Sequence, residues 1–425
     1  MKLAGFGARR NANSQENTAM ANAYQPWQVY TNETLMILKN KLQLLGNVNR
    51  DNEYLFAKKG MKAGQTVNLR YPARFLGRSG ETYTAEAYSE TSYPLTIRPL
   101  QGVDIDVNST DWTLSLDDIK KRVLAPAAAQ LANNIERDCL SIALSTVANA
   151  VGTPGTIPTS VQTYNQARAM LVYEGFADGL GNTLMISPDM QVSIASALST
   201  VFNPVATVDT VFKQGLLGEG YGFKWYESAN LWAQAAGTRV AAAAGTLSAT
   251  PASGTNVFAV TGFAAGATIN KGDVFTLAAV NAVNPMNRQS LGKLRRWTVT
   301  ATVTLATGSG NITVSLPIQY GATNQFANVD SAPAANAALT FDQAASTQSM
   351  QGLAWAPSAL TWACINQEQP GNADVYFATD EETGIQLRFA RQWEGRTNNF
   401  INRFDVLYAF GVPYPTGAVR IWSLT

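Results

Sequence analysis

Apolar residues recur along this chain with two rhythms, one close to 3.6 residues and one of two, and the changes between them mark its parts. The helical rhythm holds longest from Ser115 to Ala150, through Ile119, Val123, Leu131, Ile135, Ile142 and Leu144. Lys120, Arg122, Glu136 and Arg137 are available for a wetter face. Ser115 stands as an N-cap with Asp118 three residues on, and Asp117 and Asp118 put negative charge where the helix dipole favours it. Gly152 and Pro154 end the run. At 1.5 Å per residue such a helix spans roughly 50 Å, more than one compact domain needs. Pro126 falls inside it and should bend it or break it early, because it removes a backbone donor. Shorter helices are predicted from about Trp27 to Leu45, over Val161–Phe176, and from Ser187-Pro188 through Leu198.

From Asn52 to Trp112 the rhythm is two. Thr66–Tyr71, Leu95–Arg98 and Val103–Val107 read as strands, and a polar tip with Gly77, Gly80, Glu81 and Thr82 separates the first two. This predicts a long two-stranded excursion. Its charge is sorted: Lys58, Lys59, Lys62, Arg70, Arg74 and Arg78 precede the tip, while Glu81, Glu86 and Glu90 follow it. A two-stranded hairpin is marginal in water, so this one is expected to leave its own body and lie across a neighbouring subunit. Leu69, Tyr71 and Phe75 would then be buried against that neighbour, and the sorted charges would set its register.

Period two returns between Ala236 and about Ser346, bounded by Ala-rich flanks. Trp297, Val299, Ala301, Val303 and Leu305 share one face and Thr298, Thr300, Thr302 and Thr304 the other. Ile312, Val314, Leu316 and Ile318 repeat the device, and Val257–Val260 and Val274–Leu277 complete a small all-β module inserted into a larger fold. Leu184–Ile186 and Tyr221–Glu227 are predicted strands before the module. Beyond it come a mixed segment, Leu353–Ile365, long strands near Ile385–Trp393 and Phe400–Phe410 with a turn at Asn398-Asn399, and a closing strand, Ala418–Trp422. Residues 1–24 show no periodicity and read as an arm that orders only against something else.

Composition narrows the chemistry. Of 425 residues, 46% are apolar and only 14% charged, and 31 basic residues against 30 acidic ones leave a net charge of +1. That balance gives no global pull toward nucleic acid or membrane, and a surface so poor in charge suits coverage by partners. No histidine occurs, which excludes a Ser-His-Asp triad, a Cys-His pair and a histidine zinc site. Cys139 and Cys364 form no ligand cluster and read as buried free thiols, with a single disulfide left open. Asp104 and Asp106 share a strand face and Asp380-Glu381-Glu382 reads as a solvated acidic turn; neither gathers the groups catalysis needs. Gly218-Glu219-Gly220-Tyr221-Gly222 precedes a strand rather than a helix and so is no dinucleotide fingerprint. The N-terminus lacks the apolar run of a signal peptide, and nothing approaches a membrane-spanning length. No catalytic, cofactor-binding or metal site is assigned.

The order of parts resembles the major capsid proteins of tailed bacteriophages with the Hong Kong 97-type fold, an α+β architecture. The insertion sharpens this: Ile269–Thr276, Val280–Pro285 and Arg288–Leu294 are similar to the inserted domain of coat proteins resembling that of phage P22, and Leu131–Glu136 is similar to their long helix. The resemblance implies a division into arm and helix (1–50), extended loop (51–112), spine helix (113–152), a peripheral and axial region (153–235), an inserted β-domain (236–346) and a return to both domains (347–425). It also implies hexamers and pentamers in an icosahedral shell around double-stranded DNA that is not read by sequence. A scaffolding protein and a portal would be partners, with a decoration protein left open and no membrane; the place would be the virion, assembled in the host cytoplasm. A β-rich adhesin or carbohydrate-binding surface protein, suggested by the Thr- and Ala-rich module, is the alternative, and an enzyme with carboxylate chemistry a more remote one.

Overall fold

The computed structural model describes residues 26–56, 61–77, 80–81, 85–86, 88, 90–108, 120–176, 181–199, 218–239, 245–369, 374–381, 383–394 and 399–424. The arm, the cap at Ser115–Asp118 and the Asn398 turn position lie outside them.

The long helix is the beam of the body. A wide π-helical turn, Lys120–Leu124, leads into the α-helix Ala125–Thr146. Pro126 sits in the first α-helical turn, directly after the wide π turn, and the run continues through it rather than breaking. Leu131, Ile135, Cys139, Leu140, Ala143 and Leu144 form its buried stripe. Against that stripe pack the helix Pro26–Lys41, through Leu35 and Leu38, and a four-stranded antiparallel sheet. The sheet runs Asp374–Thr379, Gln386–Glu394, Asn399–Val406, Gln101–Asn108 in spatial order. Two expectations change here. The helix stops at Thr146 rather than Ala150, and Asn149–Val151 pairs as a strand with the closing strand Ala418–Trp422. Glu136, expected on the wetter face, is buried beneath Ser228 and Asn230, which hydrogen-bond its carboxylate at 3.4 and 2.7 Å.

The second layer is a mixed six-stranded sheet in the order Asn149–Val151, Ala418–Trp422, Gln351–Trp355, Asn182–Ile186, Phe223–Glu227, Glu219–Gly220. The helix Val161–Tyr173, capped by Ser160 through the Gln162 amide at 3.1 Å, lays Tyr164, Ala167 and Leu171 on it. The long strand expected over Phe400–Phe410 is two. It breaks at Leu407, and Tyr408–Gly411 crosses to pair with Thr361–Cys364.

Among the described residues, strands from Thr246 to Phe341 pair only with one another. Thr246–Leu247, Val257–Thr261 and Gly310–Thr313 form one sheet, Ala267–Ile269 with Val303–Leu305 a second, and Ser290–Thr298, Val274–Val283 and Leu339–Phe341 a third. Phe258, Phe275 and Trp297 meet between them at ring separations of 5.6 to 6.1 Å, so this module carries its own core. The expected continuous strand Trp297–Leu305 is interrupted after Thr298 and resumes at Val303. Thr298, on the threonine face of this pattern, is fully buried because it faces the body and donates to the Val147 carbonyl at 2.6 Å.

Candidate functional site

The excursion has a root and a tip, and they differ. At the root, Thr66–Arg70 pairs antiparallel with Ser92–Thr96, Thr66 opposite Thr96 and Arg70 opposite Ser92. Leu69, Leu95 and Ile97 are buried against Phe56, Ala363, Ile365, Leu407 and Ala409 of the same chain. The Arg98 amide donates to the Tyr408 carbonyl at 2.8 Å. Tyr71 donates its hydroxyl to the Pro413 carbonyl, and its ring lies 5.0 Å from Tyr414. Burial pushes the Tyr71 hydroxyl well above its ordinary pKa. Leu69 and Tyr71 are therefore satisfied at home, which corrects the expectation that they wait for a neighbour. Alternation identified the hairpin's apolar face, but could not show that strands some three hundred residues later offer a matching one.

Beyond Tyr71 no regular strand continues among the described residues. Phe75 is 62% exposed and Tyr88 67%. Part of the sorted charge is used within the chain: Arg70 pairs with Glu90 at 3.5 Å, and the Glu86 carboxylate accepts from the Leu76 amide at 2.6 Å. The Arg74 guanidinium lies 5.8 Å from the ring of Phe326 in the module. These contacts correct the expectation that every charge faces another subunit. Lys62 and Glu81 are exposed. Lys58, Lys59 and Arg78 lie outside the described residues.

The seam between module and body is built from buried cations that the sequence reading missed. The guanidinium of Arg420 is fully buried and donates to the carbonyls of Leu144 at 2.6 Å and Val147 at 3.0 Å, at the end of the long helix. Its other nitrogen donates to the Gly272 carbonyl at 2.9 Å. One cation thus ties the closing strand, the helix end and the module, where a positive charge also suits the helix dipole. Burial, the largest cause, pulls its pKa down to about 9. Arg295 of the module pairs with Glu174 of the body, both buried. Arg239 pairs with Asp273 at 2.8 Å. Arginines on alternating strands read as solvated, and only their buried acceptors reveal otherwise.

Asp104 pairs with Arg403 at 3.6 Å. Asp380 is less solvated than expected, accepting from Lys39 at 2.9 Å and from the Thr383 hydroxyl at 2.6 Å. Cys139 and Cys364 are free and buried, and burial raises both thiol pKa values, that of Cys364 to about 11. Among the described residues no three His, Cys, Asp or Glu side chains gather as a metal site would need.

What these parts serve is decided by the family. The model of the family described as "P22 coat protein - gene protein 5" matches residues 20–419. This chain belongs to the P22 coat protein family. It is a bacteriophage major capsid protein, a structural component of the virion. Among solved structures it is similar to one from Mycobacterium phage Che8, at 12% identity over 89% of this chain and 90% of that one, with a TM-score of 0.44. It is similar to the capsid of Ralstonia phage GP4 at 9% identity over 87% and 86%, with a TM-score of 0.41. The CUS-3 coat protein I-domain matches at 25% identity over 23% of this chain and 94% of its own, with a TM-score of 0.19. No curated protein sequence matches it. No helix among the described residues is long and apolar enough to cross a membrane.

Proposed function

We propose that this coat protein assembles as hexamers and pentamers into an icosahedral shell around double-stranded phage DNA, in a Hong Kong 97-type arrangement. The family match over residues 20–419 carries this reading. Within it, residues 51–112 act as the extended loop, 113–152 as the spine helix and 236–346 as the inserted β-domain, with an N-terminal arm and helix over 1–50. The segments 153–235 and 347–425 supply the peripheral and axial domains. The self-contained core of the module and the exposed tip beyond Tyr71 support this division. Phe75, with Lys62, Glu81 and the tip charges, contacts the neighbouring subunit, whereas Leu69 and Tyr71 brace the loop from within.

The role is structural, with no catalytic step. Scaffolding and portal proteins join during assembly in the host cytoplasm. The enclosed DNA is held without base reading, consistent with a net charge of +1. Sedimentation velocity with electron microscopy of the purified full chain tests the reading. Rings, shells or subunits convertible to them are expected; a species that stays small or trimeric under all assembly conditions would favour the adhesin.

A further inference from the structure

Beyond its root the excursion still touches its own chain. The Arg74 guanidinium lies 5.8 Å from the ring centre of Phe326, within the range where a cation is drawn to an aromatic face. Phe326 belongs to the inserted module, on a loop that is held stiffly. The Asn324 side chain donates to that of Gln319 at 2.7 Å and accepts from the Phe326 amide at 2.9 Å. The Asn328 side chain donates to the Pro317 carbonyl at 2.8 Å and accepts from the Gln319 amide at 3.0 Å. Arg288, from another turn of the module, donates to the Asn324 and Gln325 carbonyls and pins the loop from a second side. Its own backbone sits at φ 61°, a left-handed conformation that a non-glycine residue keeps only when its surroundings hold it there. Arg288 also feels the excursion. Burial holds its guanidinium below the ordinary arginine pKa, with Arg74 repelling it next and Glu86 attracting it. Glu86 in turn accepts from the Leu76 amide at 2.6 Å, which joins the two limbs of the excursion at this level.

A two-stranded ribbon has no second layer of its own. Here the module offers one on one side, an aromatic face for Arg74 and a cation within reach of Glu86. We propose that the module's loop at Asn324–Phe326, together with Arg288, is a saddle that holds the excursion of its own chain in a fixed direction before subunits meet. Phe326 and Arg288 are then positioning residues, acting through Arg74 and Glu86 rather than by contact with another subunit. A segment already held loses less freedom when it docks, so the saddle speeds assembly as well as ordering the free subunit. Its part in assembly rests on the coat-protein reading above, whereas the saddle itself does not.

The test uses the full-length, unassembled subunit with nitroxide labels at Ala85→Cys in the excursion and Met286→Cys in the module. Both sites are exposed, and the chain's own thiols are buried. The labelled chain, otherwise unsubstituted, is expected to give one narrow distribution of label separations. Phe326→Ala and Arg74→Gln should each broaden it and slow shell formation about threefold. The double variant should be no slower than either single, because both remove the same contact. Phe326→Tyr keeps an aromatic face and should behave as the parent. A broad distribution in the parent, or a narrow one in either single variant, overturns the saddle. A double variant slowed by the product of the two single effects overturns the pairing of Arg74 with Phe326. Single variants that broaden the distribution yet assemble at the parental rate or faster overturn the saddle's part in assembly. A parent with a narrow distribution that forms no shells overturns the coat-protein assembly reading and leaves the saddle standing.

Discussion

The module from Thr246 to Phe341 and the excursion from Lys62 to Arg98 are written in the same alternating pattern, yet they reach opposite ends. The module has three small sheets, enough to close around Phe258, Phe275 and Trp297 and to bury both its apolar faces. The excursion has two paired strands of five residues each, which cover one face at most. Its root survives by borrowing the face of Thr361–Cys364 and Tyr408–Gly411, and its tip is left bare. The module is thus self-sufficient in its core and bound to the body by buried ions, whereas the excursion is bound at its root and unfinished at its end. Number of layers, rather than strength of alternation, separates a part with a core of its own from one that shares the core of the body.

The sharpest way to break this contrast is at the seam. Glu174→Ala leaves Arg295 buried without its carboxylate and should cost about 3–5 kcal/mol in chemical denaturation, although neither residue belongs to the module's apolar core. Little or no loss would mean that the seam is hydrated and the module loosely attached. Next come two substitutions in the excursion. Leu69→Ala should lower the stability of the isolated subunit by about 2–5 kcal/mol, since Leu69 is buried in its own chain. Phe75→Ala should change that stability by less than about 0.5 kcal/mol and weaken assembly instead. A reversed order of effects would return Leu69 to the subunit interface.

Much of this contrast could be read before any coordinates. The closing strand is found at the expected Ala418–Trp422, and the strands Val257–Thr261 and Val274–Val283 contain the expected segments, because each is a short apolar alternation between clear turns. What failed shares one cause. Glu136 and Leu69 were assigned a face by periodicity, and periodicity is silent about what returns from distant sequence to cover that face. Arg239, Arg295 and Arg420 were invisible for the same reason: an arginine reads as solvated until its carbonyl or carboxylate acceptors are located. The break at Leu407 was hidden because both halves of Phe400–Phe410 alternate well and only their pairing partners differ.

Two smaller effects refine the picture of the body. Burial raises the pKa of Glu136, opposed by hydrogen bonds from Asn230 and Ser228. The folded chain therefore binds this proton more readily than the unfolded one, so its contribution to stability grows as pH falls through the raised value and levels off below the ordinary carboxylate range. Glu136→Gln should flatten that part of the pH–stability curve; an unchanged slope would mean the carboxylate is hydrated. At the exposed root, Arg70→Glu removes a pair with Glu90 whose arginine side chain is 80% exposed, and should shift subunit stability by at most about 1 kcal/mol.

Amide hydrogen exchange, followed in the isolated subunit and again in the assembled shell, tests the contrast between module and tip most directly. Amides of Val257–Thr261 and Val274–Leu277 should be protected to the same degree in both states, while that of the exposed Phe75 should exchange freely in the subunit and become protected only on assembly. A tip already protected in the isolated subunit, or still unprotected in the shell, would contradict the claim that a second copy completes it.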